Sequence, residues 1–137
     1  MGPSKFQFTN PLLLNLSMEI NRRFTPNDAA VLETKFHVRI DRHPDKREAI
    51  VELTVEIGGK EPSMPYFISL TEGAKFRWEE EADSIIDILL NQNAPALLLG
   101  YMRPIVAALT VASPYEAYNI PFIDFTKVDS ISDDNNR

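Results

Sequence analysis

Apolar and polar positions along the first half of the chain alternate in twos. Leu12, Leu14, Leu16, Met18 and Ile20 alternate with Leu13, Asn15, Ser17 and Glu19, the period of a strand with one apolar face. This first strand can begin as early as Phe6. After a turn-rich stretch with Thr25, Pro26, Asn27 and Asp28, residues 33–41 set Phe36, Val38 and Ile40 against Lys35, His37 and Arg39, a second strand. His43, Pro44 and Asp45 supply a turn. Residues 49–57 then place Val51, Leu53, Val55 and Ile57 opposite Glu52, Thr54 and Glu56, a third strand stopped by Gly58 and Gly59. A fourth covers residues 65–71, with Tyr66, Ile68 and Leu70 inward, and passes a bulge at Gly73 into residues 75–78. The cations of strand two face the acids of strand three, as antiparallel neighbours would. Short connections make a meander the expected order.

The period changes in the second half. Glu79, Glu80, Glu81 and Asp83 precede Ile85, Ile86, Ile88, Leu89 and Leu90, and acids before an apolar block suit the N-terminus of a short crossover helix. Leu98, Met102, Ile105 and Leu109 then follow helical spacing, with Pro95 fitting the first turn. Pro104 lies mid-helix, where it removes a hydrogen bond and collides with the carbonyl four residues back, so a kink near Gly100 is expected. Ser113 and Pro114 end the helix. An aromatic, proline-punctuated segment follows over residues 115–125, and residues 126–137 read as a polar, disordered tail. The expected fold is α+β: a four-stranded antiparallel sheet with one long kinked helix and a short crossover helix on one face. Residues 1–125 form a single domain.

Composition narrows the function. With 137 residues the chain can bury one core without staples, and it has no cysteine, so disulfides, thiolate metal sites and cysteine nucleophiles are absent. Fourteen Lys plus Arg against twenty Asp plus Glu give a net charge of −6, the wrong sign for nucleic acid. The apolar run from Pro11 to Leu14 is too short for a signal peptide, and Gly100, Arg103 and Pro104 break the richest apolar stretch, so a cytoplasmic protein without membrane insertion is expected. His37 and His43 lack metal-ligand spacing, no Gly-x-Ser-x-Gly elbow or phosphate-binding Gly loop occurs, and the acids at 79–83 lack the turn glycine of a calcium loop. No catalytic group, metal or cofactor is indicated. What stands out is apolar material on polar sides of strands and after the helix: Leu13, Phe67, Phe76, Trp78, Tyr115, Tyr118, Phe122 and Phe125. A core and an oligomer interface account for most of these.

The order of elements and the second half resemble the SecB family of protein-export chaperones. The resemblance rests on the strand from Tyr66 to Phe76 with its Glu72-Gly73 pair, then Pro95, Leu97, Leu98, Leu99, Tyr101, Arg103 and Ile105, then Tyr115, Ala117, Asn119, Ile120, Pro121 and Phe125. Phe6-Gln7-Phe8 and the run from Asn15 to Glu19 are similar to the family's first strand. The resemblance implies a homotetramer, a dimer of dimers assembled through sheets and long helices. It implies an ATP-independent holdase that keeps unfolded or export-destined preproteins competent for translocation. The client groove it implies would use Phe76, Trp78, Ile86, Leu90, Tyr115 and Phe122. The docking face for the motor SecA would fall on Asn15, Glu19, Phe67 and Ser69. Asn15 and Ser69 stand where the family carries acids, and the family's C-terminal helix and tail have no counterpart. Two alternatives remain open: a SecB-like chaperone dedicated to one client, as in a toxin–antitoxin system, or a small enzyme or ligand-binding protein using the crevice between sheet and helix.

Overall fold

The computed structural model describes residues 4–25, 31–127 and 130–134. Its centre is one sheet. Strands β3 (Thr34–His43), β4 (Glu48–Gly58) and β5 (Tyr66–Trp78) form the expected meander, each antiparallel to the next. Their tight joints explain the pairing. The β3–β4 joint is a turn over Pro44–Lys46 that closes on Arg47 in the left-handed region at φ 49°. Between β4 and β5, Gly58 sits at φ +77° with the Tyr66 carbonyl where a Cβ would stand, so only glycine fits.

The first strand departs from a meander. β1 (Phe6–Phe8) and β2 (Leu12–Ile20) are one strand interrupted at Pro11, and both pair antiparallel with β5 rather than with β3. The order across the sheet is therefore β1 and β2, then β5, β4 and β3. A connection spanning residues 21–33 is long enough to cross from one edge to the other. The stretch Pro26, Asn27 and Asp28 lies outside the described residues.

A second departure is the bulge. It lies on β2, where Leu13 pairs with Glu72 and Asn15 with Thr71, leaving Leu14 extra. Leu14 fills the space over Gly73, its Cδ1 3.0 Å from where a Cβ would be. The glycine on β5 admits a bulge on its neighbour. The extra residue shifts the alternation: Leu13, Leu16, Met18 and Ile20 share the helix-facing side with Glu72, Leu70, Ile68 and Tyr66, while Leu12 lies opposite Gly73 on the solvent side.

Helical structure runs without interruption over Glu80–Val111. It comprises a 3₁₀ stretch, α1 (Ile86–Ile88), a wide turn over Leu89–Asn93, and α2 (Ala94–Val111). By length and composition this run could cross a membrane; here Leu98, Leu99, Met102 and Val106 bury its inner face on the sheet. α2 continues through Pro104 to Val111. Gly100 and Pro104 both face solvent, so the carbonyl that proline deprives of a donor is open to water. The core is Val38, Ile40, Val51, Leu53, Val55, Ile57, Ile68 and Leu70 under those helix residues, with Leu90 and Phe76. Burial pushes the Tyr66 phenol up to about 12.

The C-terminal residues are more ordered than the polar composition suggests. Ser113 caps the helix by donating to the Thr110 carbonyl at 2.7 Å. The chain then returns across the sheet, with Ile120 and Phe125 buried and Phe125 edge-on to Phe36 of β3 at 6.0 Å. A tail disordered from residue 126 was expected; instead Ser130–Asp134 forms β6, parallel to β3 on its outer edge.

Candidate polypeptide-binding surface

The six residues expected to line a groove do not converge. Phe76 is sealed, stacked on Phe6 at 5.2 Å. Trp78 is only 7% exposed, and its indole N–H donates to Asp83 Oδ1 at 2.9 Å. Arg47 grips the same carboxylate, Nη2 to Oδ2 at 2.9 Å, and the Arg47 guanidinium is the main reason the Asp83 carboxyl is held below its ordinary value. This network pins the start of the crossover to the β3–β4 turn. Leu90 is fully buried and Ile86 half-buried against the core. Tyr115 is half-buried, edge-on to Phe24 at 5.2 Å, its hydroxyl donating to the Asn21 carbonyl. It therefore lies near the Tyr66 end of β5, since Asn21 bonds to Pro65. Phe76 lies ten positions further along β5, roughly 33 Å for an extended strand.

Phe122 differs from the other five. Its ring is 93% exposed, resting over the Arg103 guanidinium at 4.9 Å while Arg103 Nη2 donates to the Pro121 carbonyl at 2.9 Å. A fixed backbone thus presents an apolar ring to water.

The positions matching the motor-docking face do come together. Glu19 pairs with Phe67, Ser17 with Ser69 and Asn15 with Thr71, placing Asn15, Glu19, Phe67 and Ser69 on one solvent-facing patch. Its charge is partly cancelled, because Lys60 sits 3.5 Å from Glu19 and 5.8 Å from the Phe67 ring centre.

A run of exposed leucines lies on β2. Leu12 is 63% exposed, Leu14 51%, Leu13 49% and Leu16 39%. Among the described residues β2 pairs only with β5, so its other edge carries unpaired backbone donors and acceptors. Consecutive leucines in an alternating segment were the available signal, since a strand needs apolar residues on one face only. Tyr101, edge-on to Phe8 at 6.2 Å, and Ile85 and Ile88 on the crossover add further exposed apolar surface.

Glu72 is buried beside Leu13, Oε2 without a partner among the described residues, and desolvation raises its carboxyl above the ordinary value. His37 faces Glu56 and His43 faces Asp41, each at 3.5 Å. Among the described residues no three His, Asp or Glu side chains gather as metal ligands.

No protein-family model and no curated protein matches the sequence. Solved structures do. A SecB-like chaperone from Mycobacterium tuberculosis, solved in complex with a ChAD peptide from the HigA1 antitoxin, superposes with a TM-score of 0.69 at 15% identity, covering 88% of this chain and 91% of that one. A Streptococcus agalactiae protein of unknown function aligns over 88% of this chain and 100% of its own, with a TM-score of 0.48 and 11% identity; that likeness is too slight to carry an argument. The superposition on the first of these neighbours shows that the chain has the SecB-like fold, an antiparallel sheet with one long helix.

Proposed function

We propose that this protein is a SecB-like chaperone, an ATP-independent holdase that binds unfolded or export-destined polypeptide on exposed apolar surface. The observation that carries the reading is the β2 edge, where unpaired backbone and leucines exposed on both faces coincide. An extended segment can add its backbone there and seat alternate side chains. Phe122, held out over Arg103, gives a second apolar contact, and several weak contacts add through avidity. Binding the unfolded chain lowers its free concentration and slows its aggregation by mass action. None of this requires a reacting group or a cofactor, and a cytoplasmic setting suits it.

A homodimer is also part of the proposal, two copies meeting β2 against β2 whenever no client strand holds that edge, so that client and second copy compete for it while Phe122 serves clients in either state. A dedicated client is the second reading. It is favoured by the antitoxin peptide on the structural neighbour and by the partly neutralised Glu19 patch, which offers SecA little negative charge. Diluting an unfolded, slow-folding protein into buffer with this chain, without nucleotide, tests the general reading: aggregation measured by light scattering is suppressed at stoichiometric ratios. Unchanged scattering at excess would refute it. Purification from its own cells separates the readings, since many clients mark a general holdase and one abundant small partner a dedicated one.

A further inference from the structure

The outer edge of β3 is covered by β6, with Val38 opposite Ser130, Ile40 opposite Ser132 and Arg42 opposite Asp134. This pairing differs from the rest of the sheet. Among the described residues every other ladder is antiparallel, whereas β6 is parallel, and it spans five residues against the ten of β3. Its sequence, Ser130, Ile131, Ser132, Asp133 and Asp134, holds one aliphatic residue among types poorly suited to strands. Its backbone pairs with β3, and a tether joins it to the core. The tether is short: Phe125, anchored on Phe36, lies five positions before Ser130. Such a linker keeps the strand at an effective concentration in the millimolar range.

We infer that the β3 edge is a second strand-addition site for an extended apolar client segment, and that residues 130–134 occupy it as a weak internal competitor until a client displaces them. This rests on the holdase reading above and specifies a site and its regulation. A client segment rich in apolar residues brings more apolar area to the edge than the sequence of residues 130–134 offers, so it wins the edge although it arrives untethered. Polar segments lose to the tethered strand. The competition sets a threshold that favours unfolded apolar chains.

The test uses the full chain and its double variant Ile131→Pro/Ser132→Pro. Alternate residues of a strand donate to its neighbour, so one of two consecutive prolines removes a β6 donor in either phase. The probe is reduced, carboxymethylated α-lactalbumin, which stays unfolded. Amide hydrogen exchange in β3 should quicken in the variant and slow again when the probe is added. Affinity should rise roughly three- to tenfold, because the competent state is no longer shared with the internal strand. If the wild-type chain binds the probe but the variant binds no tighter, or β3 exchange ignores prolines and probe, the inference is overturned while the holdase reading stands. If the probe binds neither chain, both fall together.

Discussion

Replacing Phe122 with Asp should weaken client binding while leaving the fold intact. The ring is 93% exposed, and its only described support is the Arg103 guanidinium at 4.9 Å, a contact worth about 0.5–1 kcal/mol at an exposed site. For a chain of this size that loss lowers the melting temperature by only about 2–5 °C. Burying the ring under a client is worth about 1.5–3 kcal/mol, which corresponds to roughly a 10- to 150-fold change in dissociation constant. Trp78→Asp provides the contrast, because that indole is buried and bonded to Asp83. Its truncation costs about 3–5 kcal/mol before the burial of a charge is counted, out of a total stability of about 5–15 kcal/mol, so that variant should not fold. Circular dichroism melts and fluorescence anisotropy with labelled, permanently unfolded α-lactalbumin measure the two effects. Unchanged affinity in Phe122→Asp, or a melting temperature lowered as far as for a core residue, would refute the assignment.

Three further outcomes follow from particular residues. Gly100 is mid-helix with nothing within 4 Å of a Cβ, so Gly100→Ala should stabilise the chain by about 1 kcal/mol in urea titration; a loss would mean that another body packs against this face. Leu14→Lys/Leu16→Lys places charges on β2 beside its open edge and should convert a dimer to a monomer in sedimentation, with a melting temperature that no longer depends on protein concentration; an unchanged mass would remove β2 from the interface. Glu72 carries a raised carboxyl value in the folded state, so the fold binds its proton more tightly than the unfolded chain does, and stability declines as pH rises from its unfolded value through its folded one. Glu72→Gln should therefore be more stable than wild type at pH 7, with the advantage vanishing below about pH 4; an advantage independent of pH would contradict the burial argument.

The strands β3, β4 and β5 were legible because each buries one face, and period two with glycine or proline at the joints leaves little choice. The side on which β2 pairs was not, since the link over residues 21–33 reaches either edge and alternation carries no information about neighbours. The bulge at Leu14 left its trace on another strand, as Gly73. Groove and core were confused at Phe76, Trp78 and Leu90 because an aromatic or aliphatic residue has the same pattern whether helix or client covers it. Only the packing of β1 and the crossover decides that. Phe122 was legible as apolar material with nowhere to go. β6 was hidden for the opposite reason: Ser130–Asp134 has the composition of a tail, and its backbone pairing with β3 leaves no mark in the hydrophobic pattern.

The central claim is that this chain presents apolar surface to unfolded polypeptide. Isothermal titration of the purified full chain with reduced, carboxymethylated α-lactalbumin, without nucleotide, tests it most directly. The account predicts saturable binding with a negative heat-capacity change, the mark of apolar burial, and no binding to the folded, disulfide-intact form. Absence of heat and of any complex at stoichiometric excess, or equal binding to both forms, would contradict it.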